Sequence, residues 1–120
     1  MLALSSTVKI YIATQYVDFR SGVDALSCIC RNSFKMDPMD GSVFIFINHR
    51  RTSLKVLTYD GQGFWLATKR LSSGTFSGYP KLPARSLLGC IAEQVYVLLR
   101  GGDPAEVSGL PDWRKIKMLD

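Results

Sequence analysis

The side chains most able to do chemistry in this chain are cations gathered in its middle. Asn48, His49, Arg50 and Arg51 stand together in a polar stretch between two apolar runs; Lys55 follows, and Lys69 and Arg70 close a third run. Between residues 42 and 100, eight Lys and Arg face only Asp60 and Glu93. The first 41 residues balance four cations against four anions, and residues 101–120 carry three against four. The formal net charge of +5 therefore arises wholly in the middle segment. Guanidinium and ammonium groups clustered in this way pair with phosphate oxygens, and arginine also reads guanine edges with two hydrogen bonds. Asn48, Arg50, Arg51, Lys55, Lys69 and Arg70 are the candidate nucleic-acid-binding residues. The competing reading is a solvated hairpin end with no anionic partner.

Other chemistries are weaker. Phe44, Phe46, Tyr59, Phe64 and Trp65 interleave with the cations. Exposed on a sheet they would stack bases; buried they would dominate a core, the commoner fate of aromatics. Tyr59 and Trp65 are the candidates for exposure. Cys28, Cys30, Cys90 and His49 include enough donors for a zinc ion. A Cys-x-Cys pair on a helix, however, points its thiols about 200° apart, so small buried thiols are the better reading. No motif joins the single histidine to an activated serine or cysteine. The aspartates Asp18, Asp37, Asp40 and Asp60 sit in turn-like stretches and Asp24 near a helix start, where this residue has local structural work. Gly61-Gln62-Gly63 is followed by no helix to make a phosphate loop. No catalytic, metal-binding or cofactor residues are assigned, and the protein is read as a non-enzyme.

The elements that must position the cations follow from periodicity. Val8–Ile12 is β-branched and aromatic and predicts a strand. Val23, Leu26, Ile29, Cys30 and Phe34 form a helical stripe, with Ser21 as the expected N-cap and Asp24 in the capping-box position. Val43–Ile47 is a continuous apolar run, which predicts a central strand buried on both faces. Leu54–Tyr59 and Gly63–Leu71 are two further strands joined at Asp60-Gly61, the strongest hairpin signal in the chain. In such a meander the Arg70 end of the third strand lies beside the turn holding Arg50 and Arg51. Residues 72–83 are rich in Gly, Ser and Pro and predict a loop. Leu87, Leu88, Ile91, Val95, Leu98 and Leu99 predict a second helix, capped by Gly101-Gly102. The expected order is β-α-β-β-β-α, an α+β fold in which an antiparallel meander of three to four strands carries two helices on one side. Residues 1–102 form the expected domain and residues 103–120 a loosely ordered tail, with Trp113 as its anchor.

At 120 residues, 47% hydrophobic and 21% charged, the chain has the composition of one folded domain with a modest core. Three cysteines do not suggest a disulfide framework and fit reduced thiols in a cytoplasmic protein. No apolar run approaches the roughly 20 residues of a membrane span. Met1–Ser6 lacks the basic and apolar regions of a signal peptide.

The run from Phe44 to Leu71 resembles the signature block of the TnpB-type accessory proteins of the insertion sequence 66 family. The matching residues are Phe44, Phe46, Asn48, Arg50, Arg51, Lys55, Leu57, Asp60, Gly61, Gly63, Phe64, Lys69, Arg70 and Leu71. Upstream, Asp18-Phe19-Arg20-Ser21-Gly22 with Leu26, and Asp37-Pro38 with Gly41, are similar to two further elements of that family. The likeness covers most of residues 7–100. His49 departs from it by interrupting the basic run, and Phe19 stands where Met is usual. The resemblance implies a non-catalytic accessory protein of bacterial transposition, encoded beside a separate transposase that carries the DNA-cutting carboxylates. It implies two partners: DNA, at the transposon terminal repeats, and the transposase of the same element. The alternative function is a protein-interaction module that docks on the transposase through its apolar sheet and touches no DNA.

Overall fold

The computed structural model describes residues 7–81 and 85–119. Met1–Ser6 and the end of the predicted 72–83 loop, Leu82 and Pro83, lie outside the described residues. The chain runs β1 (Ile10–Val17), α1 (Val23–Asn32), β2 (Val43–Asn48), β3 (Ser53–Tyr59), β4 (Phe64–Arg70), β5 (Arg85–Cys90), α2 (Ala92–Leu99), a 3₁₀ turn (Pro104–Glu106) and β6 (Arg114–Leu119). The strands form one six-stranded sheet ordered β4-β3-β2-β1-β5-β6. The predicted meander is present as β2-β3-β4, with Phe44 opposite Leu57 and Val56 opposite Ala67. It is half of a larger, mixed sheet. β1 pairs parallel to β2 across the α1 crossover, and β5 pairs antiparallel to the other side of β1.

The two helices lie on opposite faces of the sheet, not on one side. Leu26 and Cys30 of α1 pack with Tyr11, Phe44, Phe46, Leu57 and Leu87. Val95 and Leu98 of α2 pack with Ile10, Ile12, Ile45, Leu54, Val56 and Leu88. Strand side chains alternate between faces, and every residue of β2 is buried. A strand apolar at each position needs cover above and below, which one helical layer does not supply.

Leu87 and Leu88, read as the start of a helix, belong instead to β5 and face the two different cores. Short apolar runs fit either period; here pairing with β1 decides, Leu88 lying opposite Ile12 and Leu87 opposite Ala13. The tail from residue 103, expected to be loosely ordered, supplies the edge strand β6 on β5, and Trp113 packs against the α2-side core. At α1 the N-cap is Gly22 rather than Ser21, with no side-chain cap. The predicted end of α2 is correct: Gly101 turns with φ +84°, and the Gly101 and Gly102 amides donate to the carbonyls of Leu98 and Val97.

One irregularity organises the centre of the sheet. The β1–β2 register shifts between Ile12 and Tyr16, so a bulge interrupts the ladder. The hydroxyl of Tyr79, a side chain buried to 2% exposure, enters this gap within hydrogen-bonding distance of the Ala13 and Ile45 carbonyls. Burial raises the Tyr79 phenol well above its usual pKa.

Candidate nucleic-acid interface

β1, β2 and β4 all end at the same edge of the sheet, because β1 and β2 are parallel and β4 is two antiparallel steps from β2. Their ends and the loops that follow enclose a cleft of about 640 Å³. Asp18 and Phe19 enter it from the β1–α1 connection, His49 and Arg50 from the β2–β3 turn, and Arg70 from the end of β4.

The β2–β3 turn is built by Asn48. Its Oδ1 accepts the amides of Thr52 (2.9 Å) and Ser53 (3.0 Å), and its Nδ2 donates to Thr52 Oγ1 (3.0 Å). Asn48 is buried and spends its amide on holding the turn, so it is a framework residue. The Arg51 amide closes the turn on the Asn48 carbonyl at 3.0 Å, and Arg51 itself adopts φ +62°. A side chain in this left-handed region costs about 1–2 kcal/mol, so the surroundings must hold it there. They do: one guanidinium nitrogen donates to the Phe76 carbonyl (3.0 Å) and the Tyr79 carbonyl (2.7 Å). The Phe76 amide in turn donates to the Arg51 carbonyl at 2.8 Å, and the guanidinium carbon lies 5.9 Å from the Tyr79 ring centroid. Arg51 is a clamp between the turn and the loop that carries Tyr79.

The other predicted cations separate for the same geometric reason as the helices. Lys55 is buried at 8% exposure, and its ammonium donates to the Ser21 carbonyl just before α1. Lys69 reaches the opposite face and donates to the Leu99 carbonyl at the end of α2. Its neighbour Arg70 alternates to the α1 side and lines the cleft. Of the six predicted residues, Arg50 and Arg70 thus present charged side chains to the cleft, with Asn48 in its wall. Arg51, Lys55 and Lys69 are engaged with main-chain carbonyls elsewhere.

Five residues outside that set stand in or beside the cleft. Phe19 is 61% exposed and Tyr16 is 42% exposed. His49 meets Tyr16 edge-on, ring centroids 5.0 Å apart. Asp18 Oδ1 accepts the Arg20 amide at 2.8 Å and its Nε at 3.3 Å, and these contacts hold the Asp18 carboxyl below its usual pKa. The Arg20 guanidinium also lies over the Phe19 ring, 6.0 Å from its centroid. The sequence signal was present in the Asp18-Phe19-Arg20-Ser21-Gly22 element, whose residues read as a strand-to-helix connection; nothing local tied them to Arg50, some thirty residues away.

The remaining aromatics divide as their strands dictate. Phe44 and Phe46 are core, Phe64 packs against the same core, and Trp65 is 62% exposed on the edge strand β4. Trp65 Nε1 donates to Asp60 Oδ2 at 2.8 Å. Cys30 is buried in the α1-side core and Cys90 packs against the α2-side core, whereas Cys28, expected to be buried with them, is exposed on the other side of α1. Desolvation pushes the Cys30 and Cys90 thiols up to about 12. Among the described residues no three His, Cys, Asp or Glu side chains converge as metal ligands, and no helix is long and apolar enough to cross a membrane.

A mixed sheet with one helix on each face and a cleft lined by Arg50, Arg70 and Phe19 where three strands end defines a small α+β domain. Residues 8–109 match the family described as IS66 Orf2-like protein, and the chain belongs to that family. Two relatives from Sinorhizobium fredii are similar along nearly their whole length. The uncharacterized protein y4hO is 34% identical over 95% of this chain and 90% of its own. The uncharacterized protein y4jC is 33% identical over 98% and 91%. No solved structure gives a significant match.

Proposed function

We propose that the protein is a non-catalytic accessory factor of insertion-sequence transposition that acts in the bacterial cytoplasm and contacts DNA through the cleft at the ends of β1, β2 and β4. Membership of the IS66 Orf2-like family supports the transposition role. The observation that carries the DNA contact is the convergence of Arg50 and Arg70 on one cleft; both residues are exposed. Exposed arginines pair with phosphate oxygens and fix a protein's register on a nucleic acid. The cleft's one carboxylate is held by Arg20, and its histidine packs on Tyr16, so it contains no acid–base pair set for hydrolysis.

The test is fluorescence anisotropy of the purified protein with labelled DNA across a salt titration. One duplex carries the terminal repeat of the parent element and another a shuffled sequence. Binding should weaken as salt rises, because each neutralised phosphate releases counterion. Arg50→Ala and Arg70→Ala should each shallow the slope of log K against log salt by about 0.9. An unchanged slope in both variants removes DNA contact from the cleft. Tighter binding to the terminal repeat would extend the role to the transposon ends.

The second reading is a protein-interaction module that docks on the transposase. It is favoured by β4, an edge strand of the sheet with Trp65 exposed, since such edges accept a partner strand. Binding of the transposase by the double variant Arg50→Ala/Arg70→Ala, with no DNA binding by the wild type, would select it.

A further inference from the structure

Resting on the reading of the cleft as a DNA contact, the geometry points to an unpaired nucleotide, rather than intact duplex, as the group this cleft takes. Three observations converge. First, Arg50 and Arg70 stand in the lining of a recess of about 640 Å³, not on a ridge or a projecting helix. Base readout in duplex places a protein element into a groove of the DNA; a recess receives a group that protrudes from the nucleic acid, which is a phosphate in either form and a base only where it is unpaired.

Second, the lining includes Phe19, 61% exposed. Tyr16, 42% exposed, supports His49 beside it. Proteins that bind single strands combine cations along the backbone with exposed aromatic rings on which bases stack. A duplex hides those base faces from any such ring. Phe19 makes no contribution to either core, and the Arg20 guanidinium, paired with Asp18, lies 6.0 Å from its ring centroid.

Third, the wall of the cleft contains a carboxylate. Asp18 is paired with Arg20 through both oxygens, so it is no bar to a phosphate nearby; its Oδ2, which accepts a single bond from Arg20, keeps a lone pair for one further donor. A carboxylate is an acceptor for the amino groups of bases, and the Watson–Crick edge offers its amino and imino donors freely when the base is unpaired. The arrangement is then a base against Phe19 with its edge toward Asp18, and the flanking phosphates on Arg50 and Arg70.

The experiment compares a labelled mixed-sequence single strand with the same strand annealed to its complement, at matched low salt. It uses the full-length protein and the variants Phe19→Ala and Phe19→Tyr. Because Phe19 is exposed and outside both cores, these substitutions leave the fold intact, and circular dichroism checks that they do. The wild type should bind the single strand at least about ten-fold more tightly than the duplex, the scale of one base–aromatic stack. Phe19→Ala should erase that preference by lowering single-strand affinity about ten-fold, and Phe19→Tyr, which keeps the ring, should retain it. Equal or tighter binding of duplex overturns the inference and leaves the cleft as a duplex contact. A single-strand preference untouched by Phe19→Ala also overturns it, since the preference then arises elsewhere. No binding of either form at low salt removes both this inference and the DNA reading beneath it.

Discussion

The two turns at either end of β3 each start from an Asx side chain that holds its own backbone, Asn48 and Asp60, and differ in what closes them. The β3–β4 turn, residues 60–63, is closed by its own atoms. Asp60 Oδ1 accepts the amides of Gln62 (2.9 Å) and Gly63 (3.0 Å), and the Asp60 amide donates to the Gly63 carbonyl (3.1 Å). The contacts from outside come from its own flanks, the Tyr59 hydroxyl donating to the Gly61 carbonyl (3.3 Å) and Trp65 Nε1 to Asp60 Oδ2 (2.8 Å). The β2–β3 turn begins in the same way, with Asn48 holding Thr52 and Ser53. It is then tied by Arg51 to Phe76 and Tyr79, 25 and 28 residues away. A local turn can form before the rest of the fold exists. A tethered one holds a left-handed arginine only while the distant loop is docked. The candidate site is built on the tethered turn, so Arg51 secures the position from which Arg50 reaches the cleft.

The sharpest way to break this comparison is to cut the tether. Arg51→Ala loses two charge-assisted hydrogen bonds to carbonyls and should destabilise the protein by about 2–3 kcal/mol in chemical denaturation. Arg50→Ala, one residue earlier, should stay within about 0.5 kcal/mol of wild type. Equal effects of the two would show that the turn does not depend on the loop.

The next largest effect is at the other end of the tether. Tyr79→Phe removes the hydroxyl that fills the β1 bulge and should cost about 1–2 kcal/mol. Its sign with pH is fixed by burial. The folded-state phenol pKa lies above that of an unfolded tyrosine, so Tyr79 contributes its full stability below the unfolded value, about 10. That contribution fades as pH rises past it. Denaturation midpoints should therefore fall less steeply at alkaline pH in Tyr79→Phe than in wild type.

Asn48→Ala tests the local half of the same turn. It removes the acceptor for two amides and should cost about 1–2 kcal/mol, less than Arg51→Ala. The smallest effect is expected at Asp60, whose carboxyl is held below its ordinary pKa chiefly by the Gln62 and Gly63 amides, with a smaller contribution from the Trp65 indole. A lowered folded pKa gives stability that is present above the unfolded carboxylate value and lost as pH falls through it. Asp60→Asn should flatten a small part of the acid limb of a stability profile and leave Arg51 and Tyr79 untouched. A change in the alkaline limb instead would mean that the two turns communicate.

What the sequence determined by itself is what depends on neighbours along the chain. The β2-β3-β4 meander was legible because its apolar runs are long and its turns carry Asn48 and Asp60, residues that hydrogen-bond their own backbone. The α1 stripe and the glycine end of α2 were legible for the same reason. The convergence of Arg70 on the β2–β3 turn followed from meander geometry alone. The family, too, was recognisable from the run between Phe44 and Leu71.

Tertiary structure decided everything that depends on which face or which distant partner a residue meets. Leu87 and Leu88 became strand because β1 offered a pairing edge, and the tail became β6 because β5 offered another. Lys69 and Arg70 parted because adjacent strand residues face opposite sides of a sheet, and with a helix on each side those are different surfaces. Arg50 and Arg51 are the same residue type side by side in one turn; only the arrival of Phe76 and Tyr79 made one a clamp and left the other for the cleft. Charge along a sequence counts cations, but it is the carbonyls brought beside them by folding that determine which remain available to an anion.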